Sequence, residues 1–141
     1  MIKIKDRIRG YLPIVIDIET GGFNDETDAM LEICAIIIGI DDQGVYYPKE
    51  PVHFHVTPFK GANLDPSALK FNGIDVDNPL RMAVSEKQAL GEIFKTARAE
   101  MKTEECTRSI LVGHNAFFDL GSWMGFSLSD DKTTTGFSGP Y

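Results

Sequence analysis

The stretch Ile14-Val15-Ile16-Asp17-Ile18-Glu19-Thr20 limits the folds open to this chain more than any other. It is an apolar, β-branched run that carries two carboxylates two residues apart and ends on Gly21-Gly22. In a strand, residues i and i+2 share a face, so Asp17 and Glu19 should project together with their backbones about 6.6 Å apart. An Asp-x-Glu on a strand is more often a solvated edge than a site, and alone it proves little. Its neighbours make it notable. Ile14, Val15, Ile16 and Ile18 predict a strand buried on both faces, where an unpaired acid is costly unless a cation or hydrogen bonds compensate it. One short and one longer acid on one face would suit Mg²⁺, which prefers oxygen ligands, or a pair of metal ions about 3.5–4 Å apart.

The 141 residues allow one domain at most, and a hydrophobic content of 43% is that of a globular chain. A net charge of −7 argues against nucleic-acid binding by bulk charge, although local basic patches stay compatible with it. There is neither a signal-peptide core nor an 18-residue apolar run, so a cytoplasmic protein without a membrane span is expected. Cys34 and Cys106 lack C-x-x-C spacing and read as reduced thiols.

Met1 to Arg9 alternates Ile2, Ile4 and Ile8 with Lys3, Lys5, Arg7 and Arg9, a period-two pattern. It reads either as a solvated or frayed edge or as a phosphate-contacting arm. Gly10 and Pro13 then break the pattern ahead of the opening strand. A second strand is expected over Leu31 to Ile40, a turn over Asp41 to Gly44, and an antiparallel return over Val45 to Tyr47. Val52 to Val56 alternates, with His53 and His55 on one face; no third ligand stands nearby in sequence, so solvent exposure is the preferred reading over a Zn²⁺ site. A short helix should begin at Pro66 under an Asp65 cap and stop at Gly73. Ser85 and Gln88 suit a capping box for an amphipathic helix whose Ala89, Leu90, Ile93, Phe94, Ala97 and Met101 pack on a sheet. Ser109 to Gly113 reads as a buried strand running into a helix that carries a third acid, Asp119. Residues 121–141 are rich in Ser, Thr, Gly and Asp without periodicity and read as a divergent, poorly ordered tail.

The order of these phrases resembles the DEDD exonuclease superfamily with its ribonuclease H-like fold. Within it, Asp17-Ile-Glu-Thr-Gly-Gly-Phe-Asn, His53-Phe-His-Val-x-Pro-Phe, Gly61-Ala-Asn-Leu, Phe71-Asn-Gly-Ile-Asp and His114-Asn-Ala-x-Phe-Asp are similar to the ribonuclease T family. The similarity covers about residues 4–120, so residues 1–120 should form the N-terminal part of an exonuclease domain. The resemblance implies an α/β fold, a mixed sheet flanked by helices and incomplete at the C-terminus. It also implies a 3′→5′ exoribonuclease that trims single-stranded 3′ ends of tRNA, rRNA and other stable RNAs and can act on DNA. Asp17, Glu19 and Asp119 match three of the four family acids that hold two Mg²⁺ ions, with Mn²⁺ as a substitute. Phe23, Phe71 and Phe118 match base-stacking positions, although periodicity alone favours ordinary core for Phe71 and Phe118. Arg7, Arg9, Lys102 and Arg108 match phosphate-binding segments that in the family act across a homodimer.

Three departures accompany the resemblance. Ser67 stands where the family's base-discriminating region is expected to carry an acid. No histidine follows His114, and Asp130 and Asp131 do not sit in the later His-x-Ala-x-x-Asp that supplies the general base and fourth acid. Catalysis by this chain is therefore expected to be impaired. The alternatives are a non-catalytic RNA-binding or dimer-forming module and a proofreading-type DNA exonuclease.

Overall fold

The computed structural model describes residues 2–22, 24 and 27–113. Among these residues, five strands form one mixed sheet: β1 (Tyr11–Thr20), β2 (Met30–Ile40), β3 (Tyr46–Pro48), β4 (Val52–His55) and β5 (Arg108–Val112). The order is β3-β2-β1-β5, with β4 also pairing β2. β1 runs antiparallel to β2 and parallel to β5, and β3 and β4 each return antiparallel to β2. Among the described residues the α-helices are α1 (Pro66–Asn72) and α2 (Glu86–Glu104).

Parity decides which residues are covered. Leu12, Ile14, Ile16 and Ile18 of β1 and Leu31, Ile33, Ala35 and Ile37 of β2 are buried. Ala89, Leu90, Ile93 and Ala97 of α2 are buried in the same core, with Phe94 and Met101 packed at its margin. The opposite face of β1 is open: Val15 is 36% exposed and Asp17 is exposed. The expectation of a strand buried on both faces is thereby corrected among the described residues. Isoleucines at consecutive even positions fill a single side, while the odd positions carry the acids. Ile110 and Val112 of β5 are likewise exposed on the open side.

Two expectations about the N-terminus also change. Instead of an alternating edge, Ile4–Asp6 forms a 3₁₀ turn with Ile4 fully buried. The Ile4 N–H donates to Glu104 Oε2 at 3.2 Å, and Lys3 and Lys5 both pair with Glu105 at 2.9 and 2.8 Å. Apolar burial of one residue and ion pairing to the end of α2 thus replace strand pairing. Those two lysines, Lys5 foremost, hold the Glu105 carboxyl down to about 2. Pro13 lies within β1 instead of ending the preceding segment. It comes before the first β1–β2 pair, Ile14–Ile37, so its missing N–H removes no rung from that ladder.

The helices follow their local signals. Asp65 Oδ1 accepts the Ser67 N–H, Pro66 opens α1, and Gly73 closes it in the left-handed region at φ 70°. Ser85 Oγ accepts the Gln88 N–H at 3.1 Å to start α2. Since Leu90 fastens α2 to the sheet at 1% exposure, Leu90→Ala should lower stability by about 2–5 kcal/mol. Val15→Ala, on the open face, should cost less than about 1 kcal/mol. Chemical denaturation of the full chain distinguishes the two.

Candidate active site

The open face holds the acids. Asp17 and Glu19 lie opposite Cys34 and Glu32 of β2, and these in turn lie opposite His53 and His55 of β4. Directly paired residues on antiparallel strands share a face with Cβ atoms about 4.5–5.5 Å apart. Two polar rows therefore cross three strands: Asp17–Cys34–His53 and Glu19–Glu32–His55. The register shifts between Glu19 and Thr20, so the ladder kinks immediately beyond the second acid.

The segment after β1 fixes that end of the strand. A Cβ on Gly22 would overlap the Asp28 carboxylate, and one on Gly21 would press on Leu64. Asp28 is buried and accepts from Asn24 N–H, Thr27 Oγ1 and Asn63 Nδ2 at 2.9–3.0 Å. Those bonds, the Asn24 N–H foremost, lower its pKa. Asn72 Nδ2 donates to the Thr20 carbonyl at 3.0 Å and Asp65 N–H to the Gly21 carbonyl at 2.6 Å, docking α1 beside the acids. Arg81 adds a clamp, its Nη2 donating to the Leu31 and Val56 carbonyls at 2.8 and 3.2 Å.

Phe71 of α1 is 90% exposed, which removes the core reading for that residue. The basic residues lie elsewhere. Arg7, Arg9, Lys102 and Arg108 are all exposed, and Arg108 pairs with Tyr11 at the start of β1. Asp17 is six residues further along β1, roughly 20 Å away at strand rise. Within one chain, then, Arg108 and the acid pair occupy opposite ends of the sheet. Phe23, Phe118, Asp119, His114 and the segment 121–141 lie outside the described residues.

Electrostatics single out Glu19. Partial burial first, and then the Asp17 and Glu32 carboxylates, raise its pKa above the ordinary 4.5. Burial, followed by the same two neighbours Asp17 and Glu32, likewise raises the Cys34 thiol, and both cysteines are free. No cation pairs with Asp17 or Glu19 among the described residues. Oxygen donors that crowd one another without a counter-charge fit a hard divalent cation. Glu32 joins this group through the β1–β2 register, and its sequence signal is the one Asp17 carries: a single acid inside an apolar β-branched strand.

A raised carboxyl pKa means that the folded state holds a proton the unfolded chain has released. Its stabilising contribution is complete below pH 4.5 and is lost as pH rises through the elevated value. Without divalent metal, Glu19→Gln should therefore raise the melting temperature at pH 7 and lose that advantage below pH 4.5. Melting curves across this range in a chelating buffer check the sign.

A sequence model of the exonuclease family matches residues 14–131. Ribonuclease T of Histophilus somni (strain 129Pt) is 47% identical over 148 aligned positions, which cover 95% of this chain and 68% of that protein. Ribonuclease T of Vibrio parahaemolyticus is 55% identical over 120 positions, covering 84% of this chain and 56% of its own length. The chain thus spans 56–68% of these two relatives. Among solved structures, Escherichia coli exonuclease I in complex with a dT13 oligonucleotide superposes with a TM-score of 0.58 at 21% identity, over 79% of this chain and 22% of that one. Exonuclease I from Methylocaldum szegediense gives 0.60 at 18% identity over the same shares. These likenesses show the ribonuclease H-like fold, and the match to the family model over most of the sequence places this chain in the exonuclease family with the ribonuclease T proteins.

Proposed function

We propose that this chain is a ribonuclease T-like, divalent-metal-dependent 3′→5′ exoribonuclease acting on unpaired 3′ ends of tRNA and other stable RNAs in the cytoplasm. The observation that carries the reading is the uncompensated Asp17/Glu19 pair on an open sheet face, beside a helix whose Phe71 is almost fully exposed. Asp17 and Glu19, together with Asp119, would hold Mg²⁺ ions. When bound, such ions activate water and offset the charge that develops on phosphate and leaving oxygen.

The chain's own residues supply substrate placement. Phe71 offers an aromatic face, alongside Phe23 and Phe118, for the terminal bases; stacking contributes about 1–3 kcal/mol per base whatever the base identity. Ser67, lacking the charge expected in that region, leaves base discrimination to contacts of the bases with these rings. Arg7, Arg9, Lys102 and Arg108 would grip phosphates. The roughly 20 Å between Arg108 and the acids favours a homodimer in which one subunit's basic end serves the other's acids. This arrangement also reconciles a net charge of −7 with RNA binding.

Within these 141 residues no second His-x-Ala-x-x-Asp follows the one at His114 to Asp119, so turnover by this chain as it stands should be slow. Loss of general-base assistance alone lowers rates by about 10²–10⁴-fold. The test uses purified chain, Mg²⁺ and a duplex RNA with a single-stranded 3′ overhang, compared with a matched DNA. Slow trimming from the 3′ end of the RNA is expected, abolished by Asp17→Ala, with Phe71→Ala weakening 3′-end binding by about 1–3 kcal/mol. Hydrolysis indifferent to Asp17→Ala would overturn the reading. Salt-sensitive RNA binding with no turnover would identify a binding module instead, and faster cleavage of the DNA a DNA exonuclease.

A further inference from the structure

The open face carries a second cluster that the oxygen pair does not use. β4 pairs with β2 so that His55 lies opposite Glu32 and His53 opposite Cys34, and strand alternation puts both imidazoles on the Glu32 side. One ligating atom from each of Glu32, His53 and His55 lies within 4.8 Å of the other two. His53 Nε2 is 2.5 Å from Glu32 Oε1, and the two imidazoles stand edge to face with centroids 5.0 Å apart. A hydrogen-bonded His–Glu pair accounts for two members of this cluster. It leaves the third unexplained, because His55 Nδ1 is buried with no hydrogen-bond partner among the described residues.

Chemistry separates this cluster from the acids beside it. Two nitrogens and a carboxylate are a ligand set that zinc uses where it keeps a fourth position open, whereas an all-oxygen pair suits Mg²⁺. We propose that Glu32, His53 and His55 form a Zn²⁺ site, distinct from the Asp17/Glu19 pair and bridging β2 to β4. β4 is only four residues long and lies at a margin of the sheet, so an ion shared between the two strands would fasten it. The ion would also neutralise Glu32, which faces Glu19 across the ladder. The arrangement escapes sequence inspection because the third ligand stands 21 residues before His53 and is brought in only by strand pairing.

The test is a calorimetric titration of the metal-free full chain with Zn²⁺, in excess Mg²⁺ so that oxygen-only sites are already filled. One Zn²⁺ per chain is expected to bind, at least about 10-fold more weakly in His53→Gln and in His55→Gln and without change in Cys34→Ala or Asp17→Asn. Circular dichroism checks that each variant folds. Should a histidine variant unfold, imidazole NMR of the wild-type chain replaces it: of the three histidines, two should shift together and saturate at one equivalent of Zn²⁺. Absence of Zn²⁺ binding, undiminished binding in both histidine variants, or no paired imidazole shift overturns the proposal. Nuclease activity plays no part in the readout, so the result is independent of the proposed function.

Discussion

The antiparallel pairing of β1 with β2, sealed on one side by α2, is the constraint on which the rest depends. Once Ile14, Ile16 and Ile18 are committed to the core, Asp17 and Glu19 have to emerge on the opposite face. The same pairing carries Glu32 and Cys34 to that face, and the next carries His53 and His55. A slip of one residue would bury two acids and expose three isoleucines, so burial of the apolar residues specifies the placement of the polar ones. The burial free energy is spread over many contacts, while the uncompensated charge gathers at the exit of one strand.

That division assigns different tasks to the two ends of β1. At its start, Tyr11 pairs with Arg108, and Lys3 and Lys5 are engaged with Glu105, leaving Arg7 and Arg9 as the exposed basic groups of the N-terminal turn. At its finish, the Gly21-Gly22 turn closes against Asp28 and Leu64, and α1 docks through Asn72 and Asp65. The buried Asp28 knot acts as structure: its carboxylate ties the backbone and side chains of the loop so that α1 can sit beside the acids. Phe71 of α1, and Leu80 and Met82 on the segment beyond it, are all more than four-fifths exposed. An almost fully exposed aromatic on a short capped helix is poorly explained by packing and well explained by a ligand with flat faces.

Much of this was legible because the relevant signals are local. The Asp65 and Ser85 caps, the Gly73 stop, the turn at Asp41 to Gly44 and the spacing of Leu90, Ile93 and Ala97 each depend on residues within a few positions. What escaped depends on partners distant in the chain. The Ile2–Arg9 alternation gave no hint that Glu104 and Glu105 would hold a 3₁₀ turn in place, and Pro13 could be admitted to β1 only because the β2 ladder begins one residue later. Val15 looked buried because four branched apolar residues surround the acids, yet which side α2 covers is a tertiary outcome. Asp17 and Glu19 needed only strand parity to be paired; the Glu32–His53–His55 cluster needed the register of two ladders.

On this reading Asp17 and Glu19 are a cation-binding pair and not a solvated strand edge. Electron paramagnetic resonance of Mn²⁺ added to the purified chain tests it most directly, since free and bound ion give separate signals. The wild-type chain and His53→Gln should remove Mn²⁺ from the free signal alike, and the Asp17→Asn/Glu19→Gln double variant, folded by circular dichroism, should not. Equal Mn²⁺ uptake by the double variant and the wild-type chain would contradict it.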